Sequence, residues 1–135
     1  MTVSITTAHN TARLGGTLQF LDSGPANARC RLYEGTRPAS ASATPTSVML
    51  AEINLTKPAG IVDNGQLTLT QLENGMIQNT GIATWARFVC GDESTAFDCD
   101  VGQGVPVIPQ QWEVQLAQTQ LFAGGDVKII SAVLG

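Results

Sequence analysis

The sequence predicts a mainly β chain, an antiparallel jelly roll or β-sandwich of about eight strands with a short N-terminal helix. Three observations predict it. Short runs of alternating apolar and polar residues recur along the chain, Gly, Pro, Asn and Asp cluster between them, and only the first stretch has helical spacing. The clearest signal runs from Gly81 to Gly102, where two alternating segments flank Gly91-Asp92-Glu93-Ser94 and read as a β-hairpin. On its first arm Ile82, Thr84, Ala86, Phe88 and Cys90 share one side, with Ala83, Trp85, Arg87 and Val89 on the other. Both sides carry apolar bulk, so this strand is expected to be central in a two-layer structure or covered by a partner subunit.

The elements follow in order. From Thr7, residues Ala8, Thr11, Leu14, Leu18 and Leu21 recur at spacings of three and four. Thr6 or Thr7 is placed to cap, and Asp22-Ser23-Gly24-Pro25 stops the run, so residues 1–24 form an N-terminal helical segment. Gly15-Gly16 weakens it by about 1 kcal/mol per glycine relative to alanine, which leaves open a break into a short helix and an extended piece. From Asn27 to Glu34, Ala28, Cys30 and Leu32 alternate with Arg29, Arg31 and Tyr33, a half-buried strand whose polar side faces solvent or an acidic neighbour. Residues 35–47, GTRPASASATPTS, hold two prolines and no large apolar side chain. They are expected to form an exposed loop, either an assembly arm or a mobile surface loop.

Val48 to Leu55 is the next strand, ended by a turn at Lys57-Pro58-Ala59-Gly60. Asp63-Asn64-Gly65 turns into a strand from Gln66 to Thr70, because an Asn-Gly pair tolerates positive φ. Glu73-Asn74-Gly75 then turns into Met76-Ile77-Gln78, ahead of the large hairpin. After Val101, the glycines and prolines of GQGVPVIPQQ interrupt regular structure until Trp112 to Leu116. The last run, Val127 to Leu134, is almost wholly apolar and is expected in the sheet interior.

At 135 residues the chain suits one domain, spanning 1–135, that buries roughly two-thirds of its unfolded surface without metal or disulfide staples. Hydrophobic residues make up 43% and charged residues 13%, about half the usual charged share. So little charge points to a surface partly hidden in an oligomer or assembly, although abundant Thr, Gln and Asn also favour solubility. Seven basic and eleven acidic residues give a net charge of −4, and the two lysines and five arginines never form a run. Direct nucleic-acid binding, which needs a clustered basic footprint, is not expected. The start, MTVSITTAHNTARLGG, lacks the basic and apolar regions of a secretory signal, and no stretch approaches the ~20 apolar residues of a membrane span. A soluble protein made in the cytoplasm is the expectation.

Cys30, Cys90 and Cys99 are an odd count, which does not suggest a disulfide framework. In the hairpin register Cys90 faces about Thr95 and Cys99 about Ala86, too far apart to bond, so buried reduced thiols are expected. Chemistry is otherwise sparse. His9 is the sole histidine and reads as a polar residue at the helix start. Asp98, Asp100 and Gly102 echo the start of a calcium loop but lack its third oxygen ligand and closing glutamate, so they read as an acidic strand end. No paired CxxC, HxxxH, GxSxG or phosphate-binding glycine pattern occurs, and neither a metal, a cofactor nor an enzymatic activity is expected. Trp85 and Trp112 are either core filler or anchors of buried subunit contacts.

A helix followed by ARCRLYEGTRP, then LAEINLTKPAG, GxLTLT, and GIATWARFV with an acidic strand after it, resembles small virion proteins of tailed bacteriophages. The resemblance spans most of the chain and fits best the capsid cement (decoration) proteins of Bordetella-type short-tailed phages. It implies a jelly-roll fold and a structural protein that binds the outside of the icosahedral head as a homo-oligomer, a dimer or trimer. The implied partner is the major capsid protein of the same virion, and the implied location is the outer capsid surface. The same motifs fit a tail or head-completion protein. A non-catalytic ligand-binding jelly roll is the competing class, although aromatic residues at 5% are few for a sugar platform. On the cement reading, the expected contact residues are Trp112 with Val105, Pro106 and Pro109 of the Pro-rich segment, and Arg37 and Pro38 of the loop. They combine exposure signals with large or conformationally fixed groups.

Overall fold

The Thr6 hydroxyl accepts the His9 backbone N–H at 3.1 Å while the Thr6 backbone stays extended, which starts helix α1 (Thr7–Leu21). A computed structural model describes residues 4–104 and 112–135. Within it, α1 runs unbroken through Gly15-Gly16, because both glycines look into open space and the helix is held elsewhere. Leu14 and Leu21 are buried with Leu18 packed beside them, as their spacing requires.

Eleven strands follow among the described residues: β1 (Arg29–Tyr33), β2 (Met49–Asp63), β3 (Gln66–Gln71), β4 (Gly75–Ile77), β5 (Gly81–Ile82), β6 (Trp85–Val89), β7 (Thr95–Gln103), β8 (Val114–Leu116), β9 (Gln120–Leu121), β10 (Asp126–Val127) and β11 (Ile129–Leu134). Seven of them pair in the order β1-β6-β7-β8-β11-β3-β2, and β2 pairs back onto β1 to close a barrel. β4 and β10 extend from the side of β2, while β5 and β9 form a separate pair. Every pairing is antiparallel except β7 with β8, which is parallel.

The mainly β composition and the N-terminal helix are as the sequence predicts; the jelly-roll sandwich of about eight strands is not. The chain closes into a barrel because β2 pairs with both of its ends, β1 and β3. Its first half pairs with β1, Cys30 opposite Ile53 and Arg31 opposite Glu52. Its second half pairs with β3, Ile61 opposite Thr68. Between them the register jumps from Leu55↔Gln71 to Gly60↔Leu69, so Thr56, Lys57, Pro58 and Ala59 of β2 pass against Thr70 alone of β3. Such a bulge bends a strand sharply and turns a sheet back on itself. Lys57-Pro58, expected to end a strand, instead lies inside this bulge, where a residue without an N–H costs no ladder bond.

Other expectations hold in detail. Asn64 and Gly65 both take positive φ, 48° and 78°, in the two-residue turn joining β2 to β3. That turn is also where the helix is fastened. Asn10 Nδ2 donates to Gly65 O at 3.0 Å, and Gly65 N–H donates to Thr11 Oγ1 at 2.8 Å. The other end is tied by Ala59 N–H, which donates to Asp22 Oδ1 at 2.8 Å. Cys99 stands opposite Ala86, and all three cysteines are free and buried. The expected hairpin is present as β6 and β7, but Gly81-Ile82 leaves it to pair with β9. The final apolar run breaks at Lys128 into β10 and β11, and β11 lies between β8 and β3. Barrel residues such as Leu32, Ile53, Leu67, Phe88, Val101 and Leu116 share one apolar cluster with Leu14 and Leu21 of the helix.

Candidate interaction surface

Strand alternation sends Cys30, Leu32, Ala86, Phe88, Cys99 and Val101 into the core. It therefore turns Arg31, Tyr33, Trp85, Arg87, Asp98, Asp100 and Gly102 outward on β1, β6 and β7. All five residues of β6 are nevertheless buried. The cover on the outer face comes from the chain itself. Thr84 Oγ1 donates to Gly35 O at 2.6 Å, Trp85 Nε1 to Glu34 O at 3.2 Å, and Arg87 Nη1 to Ala43 O at 2.7 Å. Residues 35–47 keep most side chains exposed while their backbone is fastened across this face. Beneath them Tyr33 stacks on Trp85 with ring centroids 4.3 Å apart, and the Arg87 guanidinium lies 5.6 Å from the Trp85 ring.

One row of charges crosses four strands at a single register: Glu52, Arg31, Arg87 and Asp98. Arg31 and Arg87 face each other as like charges, and each has its own carboxylate. Arg31 Nε binds Glu52 Oε2 and its Nη2 binds Glu93 Oε2, both at 2.7 Å. Arg29 adds a second contact to Glu93. Hydrogen bonds from Arg29 and then Arg31 hold the Glu93 carboxyl below its ordinary range. The polar side of the strand from Asn27 to Glu34 thus meets acidic neighbours, the second of the two readings its alternation allowed.

Of the predicted contact residues, Arg37, Pro38 and Trp112 lie against β7. On β7, Asp98 is taken by Arg87, Asp100 by Arg37 at 3.3 Å, and Gly102 is covered by Trp112. A Cβ at Gly102 would overlap the indole at Cδ2 and Cε3, so glycine is what lets the ring lie on the strand. Pro38 is half-buried and lines a hollow with Ala41, Ala96, Phe97 and Asp98. Arg37, Pro38 and Trp112 are therefore drawn to consecutive outward positions of β7, whereas Val105, Pro106 and Pro109 lie outside the described residues. The aspartates that echoed a calcium loop each engage an arginine instead.

Sequence reading missed a second surface. Met76, Phe122 and Ile82 are 67%, 62% and 52% exposed, at the end of the molecule formed by β4, β5, β9 and β10. A hollow of about 370 Å³ lies beside Phe122, lined also by Ile77, Gln118, Leu121, Val127 and Lys128 among others. A signal was available: Gly75 and Ile77 are inward, so the period of two turns Met76 out, and Phe122 abuts the Ala123-Gly124-Gly125 turn. No family model, curated protein or solved structure matches the chain.

Proposed function

We propose that this chain is a structural virion protein, a capsid cement or decoration protein that binds the outside of a tailed-phage head as a small homo-oligomer and stabilises the shell. The observation that carries the reading is the meeting of the Arg37–Pro38 arm and Trp112 on the outer face of β7. Two segments distant in sequence thereby offer one contact surface, anchored on a barrel rather than on a loop. The sequence stretches that resemble cement proteins support it, as does a charged share of only 13%. The major capsid protein is the partner this reading names, and it assigns no catalytic step and no cofactor.

Stabilisation follows from mass action. A protein that binds the assembled shell and not its dissociated subunits shifts the equilibrium toward the shell. Many modest contacts repeated over a lattice add through effective concentration. Heating emptied heads of the cognate phage with and without the purified chain tests this. The expected result is a rupture temperature that rises with added protein and saturates; an unchanged rupture temperature at saturating protein contradicts the proposal.

A further inference from the structure

Two asparagines of the chain are followed by glycine, in Asn64-Gly65 and Asn74-Gly75. Such a pair carries its own chemistry, because the backbone nitrogen after the asparagine can attack the side-chain amide and glycine puts no Cβ in the way. Asn64 is exposed at the tip of the turn between β2 and β3. The attacking group, the Gly65 N–H, is held: it donates to Thr11 Oγ1 at 2.8 Å. That hydroxyl is itself fixed, since it donates its proton to Thr7 O at 2.9 Å and so presents a lone pair to Gly65. Asn10 Nδ2 holds the Gly65 carbonyl at 3.0 Å, and the Thr7 methyl packs so closely that a Cβ on Gly65 would meet it at 3.1 Å. Asn74-Gly75 is held differently, with Asn74 Oδ1 accepting from Gln71 Nε2 at 2.9 Å and Gly75 buried in β4.

We infer that Asn64 is a site of spontaneous deamidation whose rate is set by the Thr11 hydroxyl of α1. Once released from Thr11, the Gly65 N–H loses its proton to water or hydroxide, and the nitrogen bonds to Asn64 Cγ. The Cγ–Nδ2 bond breaks and ammonia leaves with a proton from water, so a succinimide joins the two residues. Water then opens either carbonyl of the ring, giving aspartate or isoaspartate with no change of oxidation state. Either product carries a new carboxylate beside the hollow that Asn64 shares with Thr6, Thr7, Asn10 and Arg13 at the N-terminal end of α1. The isoaspartyl product also lengthens the backbone of a two-residue turn by a methylene, which carries Gly65 out of register with Asn10 and Thr11. Deamidation there unfastens the first turns of α1 from the barrel, while the tie between Asp22 and Ala59 at the other end remains. The inference does not depend on the capsid reading and can hold without it.

Incubation of the full chain under native conditions at mildly alkaline pH, followed by peptide mapping for aspartate and isoaspartate at positions 64 and 74, tests this. Removing the acceptor frees the Gly65 N–H from one hydrogen bond, so Thr11→Val is expected to speed conversion of Asn64 by about two- to tenfold. Thr11→Ser keeps both bonds of the hydroxyl and should convert at near the wild-type rate. Asn74 is the control within the same sample. A variant that merely opened the fold would speed both positions, whereas Thr11→Val should leave the rate at Asn74 unchanged. In denaturant, where no hydroxyl holds the turn, the wild type and Thr11→Val should convert Asn64 at one rate, faster than the native wild type. Hydrogen exchange of the purified isoaspartyl form should show lost protection in the first turns of α1. A native rate at Asn64 equal to the denatured rate, a native rate unaffected by Thr11→Val, or a rise shared by Asn74 overturns the proposal.

Discussion

Arg87 and Asp98 form a two-pronged ion pair across β6 and β7, with Nε to Oδ1 at 2.7 Å and Nη2 to Oδ2 at 2.9 Å, both side chains only 6% exposed. The remaining prong, Nη1, reaches Ala43 O at 2.7 Å. One guanidinium thus joins two barrel strands to the middle of the 35–47 segment. Its hydrogen bonds to Asp98 hold the arginine above its ordinary pKa, so it stays charged under all folded conditions.

Breaking this pair by Asp98→Ala leaves a buried guanidinium without its carboxylate. The expected loss is about 3–5 kcal/mol of unfolding free energy, measured by urea denaturation. Arg37→Ala, at a pair whose side chains are 42% and 54% exposed, should cost no more than about 1 kcal/mol. Equal effects would mean that the buried fork is not what holds this face.

Gly102→Ala pushes a methyl group into the Trp112 indole. The ring must leave the strand, with a red-shifted tryptophan emission and about 1–3 kcal/mol lost. Trp85 is 1% exposed and should not contribute to the shift. Adding Trp112→Ala to the glycine variant should recover part of the loss, a coupling that a double-mutant cycle reads directly.

Asp92 accepts the Cys90 thiol at 2.7 Å and the Ser94 backbone N–H at 2.9 Å. These bonds lower its pKa from 3.8 to about 2, the thiol contributing most. A carboxyl with a depressed folded pKa stabilises above its unfolded value and loses that contribution as pH falls through the folded one. Thermal melts of the wild type should therefore lose stability from about pH 4 down to about pH 2 more steeply than those of Asp92→Asn. Parallel curves for the two proteins would contradict the assignment.

Cys30 and Cys99 are 0% and 2% exposed, and burial pushes both thiols well above their ordinary pKa. The thiolate is the reactive form, so neither should be alkylated in the native protein near neutral pH. Mass spectrometry after iodoacetamide treatment should find both unmodified until denaturant is added. Native modification at rates comparable to a free thiol would show that the barrel opens.

Much of the local structure was legible because it depends on neighbours in sequence. Thr6 caps α1, Asn64-Gly65 makes the turn, and the hairpin register puts Cys99 opposite Ala86. Barrel closure was not legible, because it depends on Arg31 meeting Glu52 on one side and Arg87 on the other, pairings 21 and 56 residues apart in the numbering. Proline in Lys57-Pro58 signals a break in the ladder equally well whether the strand ends or bulges there. The two-residue strands β5, β9 and β10 are too short to carry a period. At the surface, Arg37, Pro38 and Trp112 could be named from residue type, but their convergence on Asp100, Asp98 and Gly102 of β7 is a product of the fold.

The most direct measurement of the central claim is co-sedimentation of the purified chain with emptied phage heads, titrated to saturation and repeated with a Trp112→Ala/Arg37→Glu variant. The account predicts that the wild type pellets with the heads at a fixed stoichiometry and that the variant, with its fold confirmed by circular dichroism, binds at least about tenfold more weakly. A wild-type chain that remains in the supernatant at every concentration would contradict it.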